Sequence, residues 1–212
     1  MFSDDVGSHF LSSAFEHGEV VYFDTAGRSI LPKAVYEVGQ RALAQKLTPW
    51  LGVGSEDDPA AVRSLFATLI GADTANDVAI MPSTAFAMTL AARNIARTGA
   101  LRSGSTVLVM ENEMGSVVYP WQEACRAVGA SFKIILDPQP PLSWSDVVIA
   151  ALVDDRSIAV IALPQVHWCD GSRVDLIAIS KHLEGMPEDT RPLLVVDGTQ
   201  SIGALPFNLK GL

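Results

Sequence analysis

Residues 193–200 read Leu-Leu-Val-Val-Asp-Gly-Thr-Gln, and this stretch decides the fold. Consecutive apolar residues that end at a glycine turn are typical of a strand buried on both faces of a parallel sheet. Asp197 is an isolated carboxylate directly after that strand, so a cation or hydrogen-bond donors must offset its desolvation. Such a carboxylate can bind a metal, a ribose hydroxyl or a protonated ring nitrogen. It can equally cap the next helix. Gln200 can donate and accept at the same rim.

The same alternation of apolar strands and helices runs along the chain from residue 77 onward. Strands are predicted at 78–81, 106–110, 132–136, 158–163 and 193–196. Helices are predicted at 85–97, 117–128, 145–152 and 176–183, after one opened by Pro32 and one at 60–70. This order predicts an α/β fold, in which a mostly parallel sheet is covered by helices on both faces. Ligands of such sheets bind outside the carboxyl ends of the strands.

Composition excludes several classes of protein. The chain has 212 residues, 49% of them hydrophobic, and a net charge of −9, which argues against nucleic-acid or anionic-membrane partners. Two cysteines, Cys125 and Cys169, are too few for a disulfide scaffold and fit a reducing compartment. No signal peptide opens the chain and no apolar run is long enough to span a membrane, so we expect a cytoplasmic protein. Residues 1–20 are predicted to be an arm, and residues 21–212 one partial domain.

Other predicted strand ends also carry polar side chains. Ser83 and Thr84 lie between a strand and a helix, where they form either an anion site at the helix N-terminus or a plain N-cap. His167, Cys169 and Asp170 lie within four residues, but no second ligand pair at zinc spacing accompanies them, so a packed histidine is the favoured interpretation. Trp168 is either a core residue or the wall of a pocket for a flat ligand.

The common nucleotide and nucleophile motifs are missing. Residues 52–55 read Gly-Val-Gly-Ser, but no strand precedes them and the third glycine of a dinucleotide fingerprint is absent. The sequence has no Gly-x-Ser-x-Gly elbow and no phosphate loop that ends in Gly-Lys-Ser or Gly-Lys-Thr. An unrelated nucleotide-binding α/β protein is therefore disfavoured.

Several ordered segments together resemble the class V branch of the pyridoxal-phosphate aminotransferases, of fold type I. This branch includes cysteine desulfurases and isopenicillin-N-epimerase-like proteins. The resemblance runs from residue 21 to residue 206 and is strongest at 107–113 with Tyr-Pro-Trp at 119–121, and at 195–201. The segment 167–171, His-Trp-Cys-Asp-Gly, also matches the family. The resemblance implies the large domain of that fold, without its last strands and its small C-terminal domain.

The resemblance assigns roles around the cofactor, pyridoxal 5'-phosphate. Asp197 matches the carboxylate that pairs with the protonated pyridine nitrogen, which keeps the ring an electron sink. Gln200 matches the residue that hydrogen-bonds the phenolic oxygen of the ring. Thr84 and Ala85 match the pair that holds the phosphate, and Ser83 or Thr84 replaces the hydroxyl that Ala85 lacks.

Four further residues match the walls of the family site. Met114 stands where a histidine or an aromatic ring stacks on the cofactor; methionine cannot shuttle protons, which argues against cysteine desulfurase chemistry. Trp168 stands where many relatives carry an asparagine near the ring oxygen. Ala26 and Gly27 match a turn that approaches the substrate carboxylate. No metal site is predicted.

The Schiff-base lysine of the family is expected beyond Leu212, so no catalytic residue is predicted within this chain. None of the five lysines lies in the family context; they are Lys33, Lys46, Lys133, Lys181 and Lys210. The sheet order that the resemblance implies is 3-2-4-5-6-7-1, in which strands 6 and 7 are absent and strand 78–81 loses its neighbour. The expected function is the N-terminal part of an enzyme that carries out transamination or lyase-type chemistry on an amino acid.

The alternative is a non-catalytic remnant, or a partner subunit of a split enzyme that keeps the fold without activity. The partners expected are an amino-acid substrate and either a second copy in a homodimer or a second chain that supplies the missing half.

Overall fold

Four apolar segments pair side by side into a parallel sheet in the computed structural model, which describes residues 22–51 and 59–212. The strands are β1 (Thr106–Met110), β2 (Ser131–Ile135), β3 (Ile158–Pro164) and β4 (Leu193–Asp197). The order across the sheet is β2-β1-β3-β4. This order confirms the predicted arrangement of the second to fifth strands, 3-2-4-5.

Six α-helices occur in the described residues, and the predicted ones lie within three residues of their observed ends. They are α1 (Lys33–Gln45), α2 (Pro59–Ile70), α3 (Thr84–Arg97), α4 (Gly115–Val128), α5 (Trp144–Asp154) and α6 (Leu176–Glu184). Four of them begin with clear sequence signals: Pro32 precedes α1, and Ser83, Ser143 and Asp175 cap α3, α5 and α6 through side-chain oxygens.

Alternate residues of the central strand face two different cores. Val107 and Val109 pack in the cluster that holds Trp121 of α4 and Met88 of α3. Leu108 and Met110 pack in a second cluster, with residues of α5 and α6. Because successive strand side chains point to opposite faces, one run of apolar residues serves both cores. The predicted helix layers on both faces of the sheet are therefore confirmed.

The strand predicted at 78–81 is wrong. Residues 78–81 adopt no strand, and Ile80 is more than half exposed. A strand exists only through hydrogen bonds to a neighbour. Its expected neighbour is not among the described residues, so the apolar run stays unpaired.

The chain divides into two compact units, one that ends at Asp58 and one from Pro59 to Leu212. The sheet and its two cores lie in the second unit. The predicted arm at 1–20, and the residues 52–55 discarded as a dinucleotide motif, lie outside the described residues. No helix in the described part of the chain is long and apolar enough to cross a membrane.

Candidate active site

The carboxyl ends of β3 and β4 and the N-termini of α3 and α4 surround one cavity of about 120 Å³. Its lining residues come from four separate segments of the 59–212 unit: Thr84, Glu113, Met114, Ser116, Pro164, Val166, Trp168, Asp197, Thr199 and Gln200. Five of the seven predicted cofactor residues are among them. The volume is below the roughly 300 Å³ of a pocket that takes a whole small molecule. Ser116 also lines a neighbouring groove of about 590 Å³.

Asp197 is the last residue of β4 and is 8% exposed. Its Oδ1 accepts a hydrogen bond from the backbone N–H of Thr199 at 2.9 Å, and a second from the Thr199 hydroxyl. Its Oδ2 accepts no hydrogen bond from any residue that the structure describes. One oxygen therefore closes the turn after the strand, and the other accepts no hydrogen bond. The alternative prediction, a cap on the next helix, is wrong, because residues 198–205 form turns rather than a helix.

The sequence left two interpretations of Ser83 and Thr84 open, an N-cap and an anion site, and the N-terminus of α3 shows how each residue is placed. Ser83 is the N-cap, and its Oγ accepts from the Phe86 N–H at 3.2 Å. Thr84 is the first helical residue and lines the cavity. The first turn carries no acidic residue, so the partial positive charge of this 14-residue helix faces the cavity uncompensated. Ser83 is thus the N-cap, and Thr84 is the residue of the pair that lines the cavity.

The loop after β1 places two consecutive side chains at the cavity. Met114, the N-cap of α4, is 43% exposed there and makes no side-chain cap. Oε1 of Glu113 accepts from the Met114 N–H at 2.7 Å. Its Oε2 is buried and lacks a hydrogen-bond partner within residues 22–51 and 59–212. Burial raises the pKa of Glu113, the Met114 N–H lowers it, Asp197 raises it and His167 lowers it.

Trp168 and His167 have different roles although they are neighbours. Trp168 lines the cavity, and its indole N–H donates to the Asn112 carbonyl at 2.7 Å. His167 is 3% exposed; its Nε2 lies 3.0 Å from the Glu111 carbonyl and its ring stacks on Trp144 with centroids 5.5 Å apart. His167 is a packed histidine, as expected. The described residues hold no cluster of three or more metal-ligating side chains.

Four predicted site residues are not in the cavity lining. Ser83 caps α3, and Ala85 lines the neighbouring groove instead. Ala26 and Gly27 belong to the other unit, in a turn closed by the Arg28 N–H and the Asp24 carbonyl at 2.8 Å. A Cβ at Gly27 would lie 2.6 Å from Oδ1 of Asp24, so any larger residue there would require the Asp24 side chain to move.

Lysine is absent from the cavity lining in the 59–212 unit. Lys133 pairs with Asp155 at 3.2 Å and Lys210 pairs with Asp73 at 2.6 Å, both near the surface. Lys181 lies on the exposed side of α6.

Sequence reasoning gave no role to five residues that line the cavity. They are Glu113, Ser116, Pro164, Val166 and Thr199. The sequence could have pointed to Glu113, since it is an acidic residue between a buried strand and the next helix. The sequence could also have pointed to Thr199, since an aspartate side chain commonly accepts a hydrogen bond from the backbone N–H two residues further on. The other three depend on how the strand ends are placed in space.

Comparison with known proteins gives one family. The model of the family described as aminotransferase class-V matches residues 21–212. A cysteine desulfurase of Klebsiella pneumoniae is 26% identical over 203 residues, which cover 91% of this chain and 47% of that protein. The chain thus spans about half the length of the curated relatives it matches.

Solved structures show the same fold. A C-DES variant with glycine covalently linked to its PLP cofactor superposes with a TM-score of 0.78 at 16% identity, over 99% of this chain and 53% of that one. The apo cysteine desulfurase of Thermococcus onnurineus superposes with a TM-score of 0.77 at 20% identity, over 100% of this chain and 51% of that one.

Proposed function

The chain belongs to the class-V aminotransferase family, and on that basis we propose that it forms the N-terminal part of a pyridoxal-phosphate enzyme that acts on an amino acid. The observation that carries the proposal is Asp197, a buried carboxylate with one free oxygen in a cavity that also receives a helix N-terminus. A cationic ring nitrogen and a phosphate are the two charged ends of this cofactor, and the cavity has one feature for each.

The residues present fit the cofactor. Asp197 would accept a hydrogen bond from the protonated pyridine nitrogen at Oδ2, and Thr84 at the N-terminus of α3 would bind the phosphate. Met114 and Trp168 are the apolar walls for a flat ring, and Gln200 would hydrogen-bond the phenolic oxygen. When bound, pyridoxal phosphate supplies an electron sink for carbanions at amino-acid carbons.

In the proposed site, Asp197 would hold the proton of the pyridine nitrogen at a fixed position. Its Oδ1 is fixed by both donors of Thr199, so the carboxylate is held in one orientation. Because the carboxylate is largely buried, its attraction for a cation is screened less than at the surface. A group bound there would keep its ring nitrogen protonated through the reaction.

The test is binding of pyridoxal phosphate to the whole chain. Trp168 lines the cavity, so bound cofactor quenches tryptophan fluorescence saturably. We expect Asp197→Asn to weaken binding about tenfold or more, because a charge-assisted hydrogen bond contributes about 1.5–3 kcal/mol. The matched control is Asp189→Asn, an exposed aspartate before β4. Equal affinity for the chain and for Asp197→Asn would sink the assignment, provided that circular dichroism shows both folded.

A second candidate is the non-catalytic partner subunit, favoured by the lack of a lysine in the described cavity lining. This candidate expects saturable cofactor binding without turnover. Borohydride reduction followed by peptide mapping distinguishes the two, because it fixes any covalent bond between cofactor and lysine. A modified lysine from this chain in stoichiometric amount would contradict the partner-subunit candidate.

A further inference from the structure

We propose that the chain binds a phosphate group at the end of the sheet opposite the candidate active site. The place is a cavity of about 480 Å³ at the amino ends of β1, β3 and β4, and its lining includes Arg102, Arg156 and Arg191. Strand β3 runs from this cavity to the candidate active site, which separates the two by about 20 Å, because a parallel strand rises about 3.3 Å per residue. The inference goes beyond the proposed function and does not depend on it.

The three arginines come from three loops that the sheet brings together. Arg102 lies four residues before β1, and Arg156 and Arg191 each lie two residues before their strands, β3 and β4. These strands are neighbours in a parallel sheet, so the loops that lead into them meet at the same end of it. All three arginines therefore line one cavity, although they are remote from one another in the sequence.

The positive charges of this cavity have no counter-charge in contact with them. Within residues 22–51 and 59–212, no carboxylate oxygen lies within 4.0 Å of a nitrogen of the three arginines. Arg156 also makes no hydrogen bond to a described residue, and it lines an adjoining cavity together with Lys181 and His182. Guanidinium groups stay charged in proteins, so cations from several loops repel one another here. A bound anion would relieve that repulsion.

Two of the arginines are held in place by the backbone. Nη2 of Arg191 donates to the carbonyl of Glu184 at 3.3 Å and to that of Met186 at 3.2 Å. Nη1 of Arg102 donates to the Gly99 carbonyl at 3.3 Å. A guanidinium has five N–H donors, so each arginine keeps donors for a ligand after these bonds form. Side chains ordered before binding lose less conformational entropy when a ligand arrives.

The donor set and the size of the cavity favour a phosphate group over a single carboxylate. A guanidinium can bind two phosphate oxygens at once, and a phosphate group offers three oxygens to donors that approach from different loops. The volume lies within the range of roughly 300–1,000 Å³ of small-molecule sites, so it can also hold a small organic group attached to the phosphate. Glu188 and Asp189 line the same cavity, and their charges weaken the binding of any anion.

The test is a titration of the full chain, labelled with ¹⁵N, with inorganic phosphate and with glycerol phosphate, followed by NMR at physiological ionic strength. We expect saturable shifts of the backbone amides at 102–105, 156–158 and 188–191. Arg156→Gln should weaken binding about tenfold or more, because a charge-assisted contact is lost. Glu188→Gln should strengthen binding, because a repelling charge is removed. The matched control is Arg173→Gln, an exposed arginine between β3 and α6 at the other end of the sheet, which should leave the affinity unchanged.

Equal phosphate affinity in the chain and in Arg156→Gln would overturn the inference, and so would amide shifts confined to residues 84 and 197–200. Should Arg156→Gln fail to fold, Glu188→Gln still decides the question, since an unchanged or weaker affinity in that variant contradicts the site. Binding of inorganic phosphate alone would identify the free anion as the ligand, and tighter binding of glycerol phosphate would identify a phosphorylated small molecule. Both of these outcomes support the site.

Discussion

Asp197 uses its two carboxylate oxygens for different purposes. Oδ1 closes the turn at residues 197–199, and Oδ2 accepts no hydrogen bond from the residues that the structure describes. The sequence offered a helix cap and a ligand-binding carboxylate as alternatives; Asp197 caps no helix, and the turn it closes leaves one of its oxygens free for a ligand. The choice could not be made from the sequence because it depends on which oxygen Thr199 occupies.

Thr199→Val tests this arrangement without touching the carboxylate. The hydroxyl bond to Oδ1 is lost and the backbone N–H bond remains, so we expect a loss of about 1–2 kcal/mol in the free energy of unfolding. Urea denaturation followed by circular dichroism measures it. Thr199→Ser keeps the hydroxyl and should lose little. Equal losses in the two variants would mean that the methyl group, rather than the hydrogen bond, stabilises the turn.

At the scale of single elements, helix starts were predictable because each depends on a few adjacent residues. In the capping box of α5, the Ser143 N–H and hydroxyl donate to Oδ2 of Asp146 at 2.8 and 2.7 Å, and the Asp146 N–H donates back to Oγ at 3.2 Å. These bonds lower the pKa of Asp146. The segment 78–81 shows the opposite case: its composition is that of a strand, but pairing depends on residues far away in the sequence.

Removing the cap should have a pH-dependent cost. Ser143→Ala is expected to lower the free energy of unfolding by about 1 kcal/mol near neutral pH. A carboxyl whose pKa is lowered by folding stabilises the fold above its unfolded-state pKa, and this stabilisation is lost as the pH falls through the folded-state value. The difference between the chain and Ser143→Ala should therefore shrink on acidification. Urea titrations at several pH values measure it, and a difference that grows in acid would contradict the role of Asp146.

At the scale of the whole molecule, the sheet ends at an apolar strand. β4 pairs only with β3 in the described residues, and its residues from Leu193 to Val196 are exposed or partly exposed. Unpaired N–H and C=O groups beside apolar side chains are a template for association. The free edge lies on the side where the resemblance puts strands 6 and 7.

We expect the chain to self-associate as its concentration rises, and Leu193→Lys to reduce this by placing a charge on the free edge. Leu193 is 43% exposed, so its folded state should tolerate lysine. Sedimentation velocity over a range of concentrations measures the effect. The matched control is Leu142→Lys, 55% exposed in the loop before α5. Equal reductions in the two variants would show that added charge, not the strand edge, controls association.

The sequence by itself determined the α/β class, the four paired strands, the helices and the identity of Asp197, because apolar periodicity and capping depend on neighbours along the chain. The sequence also identifies the family, whose model matches it over residues 21–212. Only the tertiary structure decided that segment 78–81 is unpaired and that Thr84 lines the cavity. It also placed Glu113 beside Asp197 in the cavity lining. Each of these depends on contacts between segments that are remote in the sequence, and strand pairing and packing alone fix such contacts.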